Sequence, residues 1–240
     1  MDRPYIVYHM TTTMDGKING SFLELESVKP VTDFYYECHR QFNASGFLCG
    51  RVTMQESFTG QTPPDLTPFQ GQSFPREDYV SRSDADFYAV AVDTTGKLNW
   101  PADHITDEDP GYDKAHIIEI LCEAVDDAYL GFLRDRGISY IFAGADVPDL
   151  PLAMSKLTAL FGIKSLLLEG GGIPSVCRAW PFFRGNLIDE VSFLMVPVTG
   201  EPDAMGLFGP DGENTPYAPE FAHQEVLPAP GKAIWVRQWK

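Results

Sequence analysis

The sequence is poor in basic residues. Its 240 residues include 18 Lys and Arg against 34 Asp and Glu, which gives a net charge of −16. A surface of this sign repels phosphodiester backbones and anionic lipid headgroups, so we expect neither a nucleic-acid partner nor a membrane partner. Backbone amides together with one or two Arg still make a local anion site, so a phosphorylated small molecule is compatible with this charge.

Cysteine and long apolar runs are also scarce. The four Cys form no Cys-x-x-Cys pair, which argues against a zinc or redox motif. The five His show no metal-ligand spacing, so no metal site is expected. No apolar run approaches the ~18 residues of a membrane span, and the first residues lack the plan of a signal peptide. We therefore expect a reduced, cytoplasmic protein.

The chemistry-bearing motifs of several large enzyme classes are missing. The sequence has no Gly-x-Ser-x-Gly, no His-Glu-x-x-His and no P-loop. The segment 103–113 carries five acidic residues, but Asp109-Pro110 and the absent terminal Glu do not suit an EF-hand, so a solvated loop is expected.

What is present is an alternation of short apolar runs with amphipathic stretches. At 44% hydrophobic and 22% charged, the chain is an ordinary globular sequence, and we expect one domain over residues 1–240. The predicted strands are 5–10, 46–49, 87–92, 117–121, 138–143, 165–168, 191–196 and 233–237. Helical spacing of apolar residues predicts helices over 31–42, 125–133, 150–161 and 173–180.

Strands separated by helices favour a mostly parallel sheet with helices on both faces, which is an α/β fold. The last two strands have no helix between them, so one antiparallel edge is expected. Two stretches rich in Gly and Pro, 59–75 and 197–231, are predicted to be loops.

The strongest local signal is the segment 165–173, Ser-Leu-Leu-Leu-Glu-Gly-Gly-Gly-Ile. A strand ends, three glycines follow and a helix begins, an arrangement that lets a phosphate or pyrophosphate approach the backbone. The alternative is that the glycines only make a tight turn.

A second signal is the segment 50–57, Gly-Arg-Val-Thr-Met-Gln-Glu-Ser, directly after a strand. A glycine, a guanidinium and a hydroxyl there suit a second phosphate of the same ligand. The alternative leaves Arg51 as a surface residue and Thr53 as an ordinary helix cap.

Three further loops follow predicted strands: residues 11–18, residues 93–96 and the loop that contains Gly144. Ligands of open α/β sheets bind at the carboxyl ends of the strands, which gives these loops a possible binding role. Asp15-Gly16 is equally an everyday turn.

These motifs, in this order over nearly the whole chain, resemble the C-terminal reductase domain of the bifunctional riboflavin-biosynthesis deaminase/reductase, a relative of dihydrofolate reductase. The residues that carry the resemblance are the segments 14–18 (Met-Asp-Gly-Lys-Ile), 50–53, 93–94, 166–172 (Leu-Leu-Leu-Glu-Gly-Gly-Gly), 187–191 and 233–237. The resemblance implies a dihydrofolate-reductase-like fold, NADPH as cofactor and a homodimer. It also implies reduction of the ribosyl group of an aminopyrimidine ribosyl phosphate to a ribityl chain.

The resemblance and the motifs together give a set of candidate site residues. Asp15 and Glu169 are the candidate proton donors. Arg40 and Glu169 are the candidate substrate-binding residues, and Arg76 or Arg82 are alternatives for a substrate phosphate. The segment Ser81-Arg82-Ser83 is a candidate for the cofactor 2′-phosphate. The candidate cofactor-binding residues are Thr12, Gly50, Arg51, Thr53, Thr94, Gly144, Gly170, Gly171, Gly172, Ile173, Pro174 and Ser175.

The sequence departs from the riboflavin reductases after Thr53. Those proteins carry an Arg there that holds the substrate phosphate, and residues 54–64 contain none. The segment 50–57 is closer to the Gly-Arg-x-Thr-x-Glu-Ser of dihydrofolate reductase, which strengthens the cofactor inference and weakens the substrate inference. Three functions remain open: a pyrimidine reductase, a reductase of the same fold acting on a pterin or another small carbonyl or imine, and a non-catalytic nucleotide-binding scaffold.

Overall fold

The computed structural model describes residues 2–170, 179–207 and 218–240. The strands are β1 Tyr5–Thr13, β2 Gly46–Gly50, β3 Tyr88–Val92, β4 His116–Leu121, β5 Ser139–Phe142, β6 Ser165–Leu168, β7 Glu190–Val196, β8 His223–Pro228 and β9 Ile234–Trp239. The helices are α1 Lys29–Gln41, α2 Arg51–Met54, α3 Asp127–Asp135, α4 Leu150–Phe161 and α5 Ala179–Arg184. A π-helical turn, Gln55–Thr59, continues α2.

The strands form one sheet in the order β5-β4-β3-β2-β6-β1-β7-β9-β8. All pairs from β5 to β7 are parallel, and β9 pairs antiparallel with both β7 and β8. Parallel strands buried on both faces are typical of sheets covered by crossover helices, and β2, β3 and β4 are buried along their whole length. The predicted α/β architecture with an antiparallel C-terminal edge is therefore confirmed.

Helices cover both faces of the sheet. On one face, α4 and α5 pack against side chains such as Tyr8 and Leu166. On the other face, α2 and α3 pack against β2 to β5, and α1 packs against β7 and β9 through Val31 and Cys38. One face buries a single apolar cluster and the other face buries two, and this burial provides most of the favourable free energy of folding.

Local sequence fixes where the helices begin and end. The side chain of Asp126 accepts a hydrogen bond from the N–H of Ala128 at the start of α3, and Asp149 caps α4 in the same way. At the end of α4, Gly162 adopts a left-handed conformation with φ of 67°. These caps explain why the helices predicted over 125–133 and 150–161 are found close to those positions.

One strand was not predicted. Residues 223–228 fall inside the stretch expected to be a loop over 197–231, yet they form β8 at the edge of the sheet. This strand reads His-Gln-Glu-Val-Leu-Pro and is largely exposed, with Leu227 packed partly against the apolar cluster under α1. It lacks the apolar alternation that indicates a strand, because an edge strand that is mostly solvated needs few apolar residues.

Candidate functional site

A cavity of about 490 Å³ opens at the carboxyl ends of β1, β2 and β6. The first helix, the turn after β2 and the acidic loop before β4 enclose it. Its lining combines aromatic rings, hydroxyl groups and carboxylates: Met10, Thr11, Ile18, Leu23, Thr32, Tyr35, Tyr36, Phe47, Cys49, Thr53, Ser57, Phe58, Asp107, Tyr112, Glu169 and Gly170. This is the location at which ligands of open α/β sheets bind.

Glu169 lies at the floor of the cavity, directly after β6, and is only 3% exposed. Its Oε1 accepts a hydrogen bond from Nδ1 of His39 at 2.8 Å, and its Oε2 accepts one from the hydroxyl of Tyr112 at 2.9 Å. A buried carboxylate is stable only when it is paired and hydrogen-bonded, and both conditions are met here.

His39 is the partner that balances the charge of Glu169. Both of its ring nitrogens face acceptors, since Nδ1 donates to Glu169 and Nε2 lies 3.0 Å from the carbonyl oxygen of Gly111. Only the imidazolium form donates from both nitrogens. Burial opposes the charge, but the attraction of Glu169 and these hydrogen bonds raise the pKa of His39 above its ordinary value.

The same pair keeps Glu169 ionised. Burial by itself raises the pKa of this carboxyl, but the charge and hydrogen bond of His39 and the hydroxyl of Tyr112 bring the pKa below its ordinary value. Glu169 is therefore a carboxylate at neutral pH. It is suited to accept hydrogen bonds or to stabilise a positive charge, and poorly suited to donate a proton.

Aromatic rings form the walls of the cavity. The ring of Tyr112 packs edge-on against Phe47, with centroids 4.9 Å apart, and edge-on against Tyr36 at 6.0 Å. Tyr35 packs edge-on against Tyr36 at 5.6 Å and stacks on the buried ring of His9 at 4.3 Å. These rings give the cavity a largely apolar lining, which is typical of small-molecule sites.

The mouth of the cavity is acidic. Asp107 lines it, and burial together with the nearby carboxylates of Asp107, Asp109, Glu169 and Asp33 raises the pKa of Tyr36. Within the residues that the structure describes, no Lys or Arg lines the cavity.

Three of the predicted site residues meet at the cavity, namely Thr53, Glu169 and Gly170. Gly170 has a φ of +80°, and a Cβ atom on it would lie 2.5 Å from Oγ1 of Thr53. Glycine is therefore required both by the backbone conformation and by the close approach of Thr53. Two motifs that are remote in the sequence thus form one wall of the site.

Gly50 and Arg51 stand at the start of α2, next to this wall. Gly50 precedes the helix in an extended conformation, and the guanidinium of Arg51 donates to Oε1 of Gln55 at 2.5 Å. The positive charge of Arg51 is also close enough to Asp93 to lower the pKa of that carboxyl, against the burial that raises it overall. Arg51 is a half-buried cation at the carboxyl edge of the sheet, one turn of helix from Gln55.

Other predicted cofactor residues lie outside this cavity. The hydroxyl of Thr12 is buried and donates to the carbonyl of Thr13 at 3.2 Å, while the neighbouring Thr11 lines the cavity instead. The carbonyl of Thr94 accepts from the N–H of Cys122 at 3.2 Å. Gly144 has a φ of +95°, and a Cβ atom there would collide with the carbonyl of Val147, which accounts for this glycine by the turn alone.

Asp15 lies outside the cavity and links the loop after β1 to the loop after β7 by hydrogen bonds. Its Oδ1 accepts a hydrogen bond from the hydroxyl of Thr13 at 2.6 Å and another from the N–H of Gly200 at 3.0 Å. The hydrogen bond from Thr13, followed by that from Gly200, lowers the pKa of this exposed carboxyl. The assignment of Asp15 as a proton donor stays a prediction, and its surroundings favour the ionised form.

The arginines considered for a substrate phosphate are engaged elsewhere. Arg40 pairs with Asp109 at 2.6 Å, with 41% of its side chain exposed, and it does not line the cavity. Arg76 donates to the carbonyls of Glu123 and Val125 near the start of α3. These hydrogen bonds hold the end of the loop 59–75 against the start of α3.

The segment 81–83 lies at the opposite edge of the sheet from the cavity. The N–H of Ser81 donates to Oγ of Ser139, the first residue of β5, and Arg82 pairs with Asp84. The amino ends of parallel strands face away from the site at their carboxyl ends. The expectation that this segment meets a cofactor 2′-phosphate stays a prediction, and the position of the segment argues against it. The candidates Gly171, Gly172, Ile173, Pro174 and Ser175 lie outside the described residues.

Sequence reasoning did not find His39, Tyr35 and Tyr112. Tyr35 and His39 are four residues apart on α1, so they share one face of the helix, and this spacing was a usable signal. Tyr112 lies in the segment 103–113, which its acidic residues mark as a solvated loop. Nothing in its local sequence indicates that its hydroxyl reaches Glu169.

The remaining expectations about sites concern metals and membranes. Among the described residues, no group of three or more His, Cys, Asp or Glu is arranged to hold a metal ion. In the same part of the chain, every helix is too short or too polar to cross a bilayer.

No protein-family model matches the sequence. Similarity to known proteins is found at the level of the structure. The structure is similar to that of a pyrimidine reductase-like protein from Corynebacterium diphtheriae, with a TM-score of 0.68 and 15% identity over 99% of this chain and 92% of that one. It is also similar to the riboflavin biosynthesis reductase of Saccharomyces cerevisiae, with a TM-score of 0.61 and 10% identity over 100% and 90% of the two chains.

A third similar structure is RibD from Acinetobacter baumannii, with a TM-score of 0.58 and 17% identity. All of this chain aligns, but it spans only 58% of that protein. At these identities the likeness concerns the fold. The predicted resemblance to riboflavin-biosynthesis reductases is confirmed at the level of the fold.

Proposed function

We propose that this protein is an NADPH-dependent reductase whose substrate enters the cavity at the carboxyl ends of β1, β2 and β6. The observation that carries the proposal is the junction of Thr53, Gly170 and Glu169 in one wall and floor. This junction brings the two candidate phosphate-binding motifs of the sequence next to an ionised carboxylate. The fold is one that known reductases share.

The residues on this side of the cavity fit a nucleotide cofactor. Thr53 offers a hydroxyl, Arg51 offers a guanidinium with a neutral side-chain partner, and Gly170 has no side chain to block an approaching ligand. Hydroxyl, guanidinium and exposed backbone are the donor set that phosphates require. When bound, NADPH would supply the hydride for the reduction.

The chain's own contribution is to hold the acceptor and to exclude water. The rings of Tyr35, Tyr36 and Tyr112 line the cavity and would confine an acceptor next to the cofactor, which favours alignment of donor and acceptor. His39 and Tyr112 hold the Glu169 carboxylate in one position at the floor of the cavity, where its negative charge would act on a bound acceptor.

Two substrates are compatible with this frame. One is an aminopyrimidine ribosyl phosphate, the substrate that the resemblance implies. The other is a carbonyl or imine compound without a phosphate, such as a pterin. The engagement of Arg40 with Asp109 and of Arg76 with α3 favours the second, because a phosphate needs cationic or amide donors close to it.

The proposal is tested by titrating the purified protein with NADPH and NADH in a calorimeter. We expect NADPH to bind more tightly, and Arg51→Ala to weaken NADPH binding by about 10-fold, since a charge-assisted hydrogen bond contributes roughly 1.5–3 kcal/mol. Arg82→Ala is the matched control, because Arg82 lies at the opposite edge of the sheet and is expected to leave the affinity unchanged. Absence of binding by either cofactor would overturn the proposal and favour a non-catalytic scaffold.

A further inference from the structure

A second cluster of polar side chains lies at the amino ends of β4 and β5, away from the cavity. Its centre is His116, the first residue of β4, whose side chain is only 1% exposed. Nε2 of His116 lies 3.0 Å from Oγ of Ser139, the first residue of β5, and 3.4 Å from Oγ of Ser81. Ser139 is buried and Ser81 is exposed, so one of the two hydroxyl groups beside this histidine is open to solvent.

The hydrogen bonds assign the proton of the imidazole to Nδ1. Oγ of Ser139 accepts from the N–H of Ser81 at 3.1 Å, so the Ser139 hydroxyl is available to donate to Nε2 of His116. Nε2 is then the acceptor nitrogen and Nδ1 carries the hydrogen. Nδ1 is buried without a hydrogen-bond partner among the described residues, and Oδ2 of Asp103 lies 3.9 Å from it. A small movement of the half-exposed Asp103 side chain closes this distance.

The exposed hydroxyl of Ser81 is connected to the imidazole through Ser139. The two Oγ atoms are 3.2 Å apart, so a proton of Ser81 can reach Nε2 of His116 in two short steps. In this structure the Ser81 hydroxyl donates to the carbonyl of Gly137. Rotation of the O–H about the Cβ–Oγ bond redirects it to Ser139, which leaves a lone pair of the Ser81 oxygen facing solvent.

Arg82, the residue after Ser81, supplies hydrogen-bond donors at the same place. Among the residues that the structure describes, the N–H of Arg82 has no backbone acceptor. Its guanidinium is about half exposed and pairs with Asp84 at the surface. A free backbone N–H and a cation next to a hydroxyl are suited to stabilise a negative charge that develops on a carbonyl oxygen.

We propose that Ser81 and His116 are the nucleophile and the base of a second catalytic site, which hydrolyses small carboxylic esters. Ser139 relays the proton, and Asp103 is a positioning residue that orients the imidazole. A hydroxyl, an imidazole and a carboxylate in this sequence of contacts cleave acyl groups on unrelated folds, where geometry rather than chain order defines the site. This activity goes beyond the reductase function proposed above and uses none of its residues.

The reaction needs no cofactor. Oγ of Ser81 bonds to the acyl carbon, its proton passes through Ser139 to Nε2 of His116, and the carbonyl π electrons move to the oxygen. When the C=O bond re-forms, the C–O bond to the alcohol breaks, and His116 gives its proton to the departing alcohol oxygen. Water then attacks the acyl group on Ser81 with the same base, which releases the carboxylic acid and restores the serine.

The test is hydrolysis of p-nitrophenyl acetate and covalent labelling by a fluorophosphonate, with the labelled residue located by peptide mass spectrometry. We expect Ser81→Ala to abolish labelling and to lower hydrolysis at least about 10-fold. Ser83→Ala, at an exposed serine two residues further along, is the matched control and should change neither. Equal hydrolysis by Ser81→Ala and the native protein, or labelling at a different residue, would overturn the proposal. The reductase proposal is unaffected by either result, because its own test is NADPH binding.

The pH profile distinguishes a base from a structural histidine. Burial, opposed by the charge of Asp103 and assisted by the charges of Arg82 and His104, lowers the pKa of His116. The ring of Tyr88 also packs edge-on against the imidazole, with centroids 6.2 Å apart. We expect the labelling rate to rise through this lowered pKa and then to stay level from about pH 7 to pH 9. A rate that increases about 10-fold per pH unit over this range would show that hydroxide acts without His116.

Asp103→Asn tests the positioning role without emptying the buried site of His116. Removing the negative charge disfavours the imidazolium, so the rising part of the labelling profile should move to lower pH, with a lower level rate above it. Asp84→Asn, whose carboxylate is exposed and pairs with Arg82, serves as the comparison for a charge that does not contact the imidazole. An unchanged profile for Asp103→Asn would show that Asp103 does not act on His116.

Discussion

His39 and Glu169 form an ion pair of 2.8 Å that joins α1 to the end of β6, and each residue is only 3% exposed. The pair closes the floor of the cavity and anchors the helix that carries Tyr35 and Tyr36. It is thus both a structural contact between two elements and the support of the carboxylate that lines the floor of the cavity.

Removing one partner of this pair is expected to be costly. His39→Leu leaves the Glu169 carboxylate buried with neutral hydroxyl donors such as that of Tyr112, and loss of one member of a buried pair costs about 3–5 kcal/mol. The double variant His39→Leu with Glu169→Leu should recover much of this loss. Urea unfolding of the two single variants and the double variant measures the coupling. Additive losses would show that the two residues act independently.

The pair also gives a pH dependence whose sign is fixed. The pKa of His39 is raised above 6.5, so its contribution to the free energy of unfolding is complete below about pH 6.5 and is lost as the pH rises through the raised value. The pKa of Glu169 is lowered below 4.5, so its contribution is present above that pH and is lost as the pH falls through the lowered value.

The measurement is the difference in unfolding free energy between the native sequence and His39→Gln from about pH 5 to pH 9. We expect the difference to shrink as the pH rises above the folded pKa of His39. The buried His116 has a lowered pKa, but it is common to both proteins and cancels in the difference. Burial and, to a smaller extent, the charge of His39 lower the pKa of His9, so the same difference is also measured in a His9→Gln background. A flat profile for His39→Gln would contradict the imidazolium assignment.

The contact between Gly170 and Thr53 predicts a specific coupling. Gly170→Ala introduces a Cβ at a φ of +80° and forces it against Thr53, so we expect a loss of stability of roughly 2 kcal/mol and weaker cofactor binding. Thr53→Ala removes the two nearest atoms and should relieve the clash while leaving the backbone strain. The loss of unfolding free energy in the double variant is therefore expected to be smaller than the sum of the losses in the two single variants. Calorimetric unfolding and NADPH titration of all four proteins test this.

Two amide substitutions distinguish the contributions of Asp15 and Glu169 to turnover. Asp15→Asn keeps a side-chain oxygen that can accept from Thr13 and Gly200, so we expect turnover within about 3-fold of the native protein. Glu169→Gln should lower turnover by at least about 100-fold, because it removes the charge that faces the acceptor. A loss of about 100-fold or more for Asp15→Asn, with unchanged unfolding, would identify Asp15 as the general acid instead.

The extent to which sequence predicts this protein differs between fold and site. Apolar runs such as β3 and the capped helix α4 report local rules, so eight strands and the order of elements were predictable. Strand β8 was not, since an exposed edge imposes no apolar pattern. In the site, Thr53 and Gly170 were identified by glycine-rich turns. Tyr112 was missed because it reaches Glu169 across 57 residues of chain, through tertiary packing that no local pattern encodes.

The strand order also has a consequence for how the polypeptide acquires its structure. Strand β1 lies between β6 and β7, so Tyr5 pairs with Ser165 and Val7 pairs with Glu190. During synthesis the first strand therefore waits for more than two thirds of the chain before either neighbour exists. Such long-range pairing slows folding and exposes apolar strands meanwhile. We expect the nascent chain to depend on chaperones, and the cavity to be among the last features to form, because its floor needs β1, β2 and β6 together.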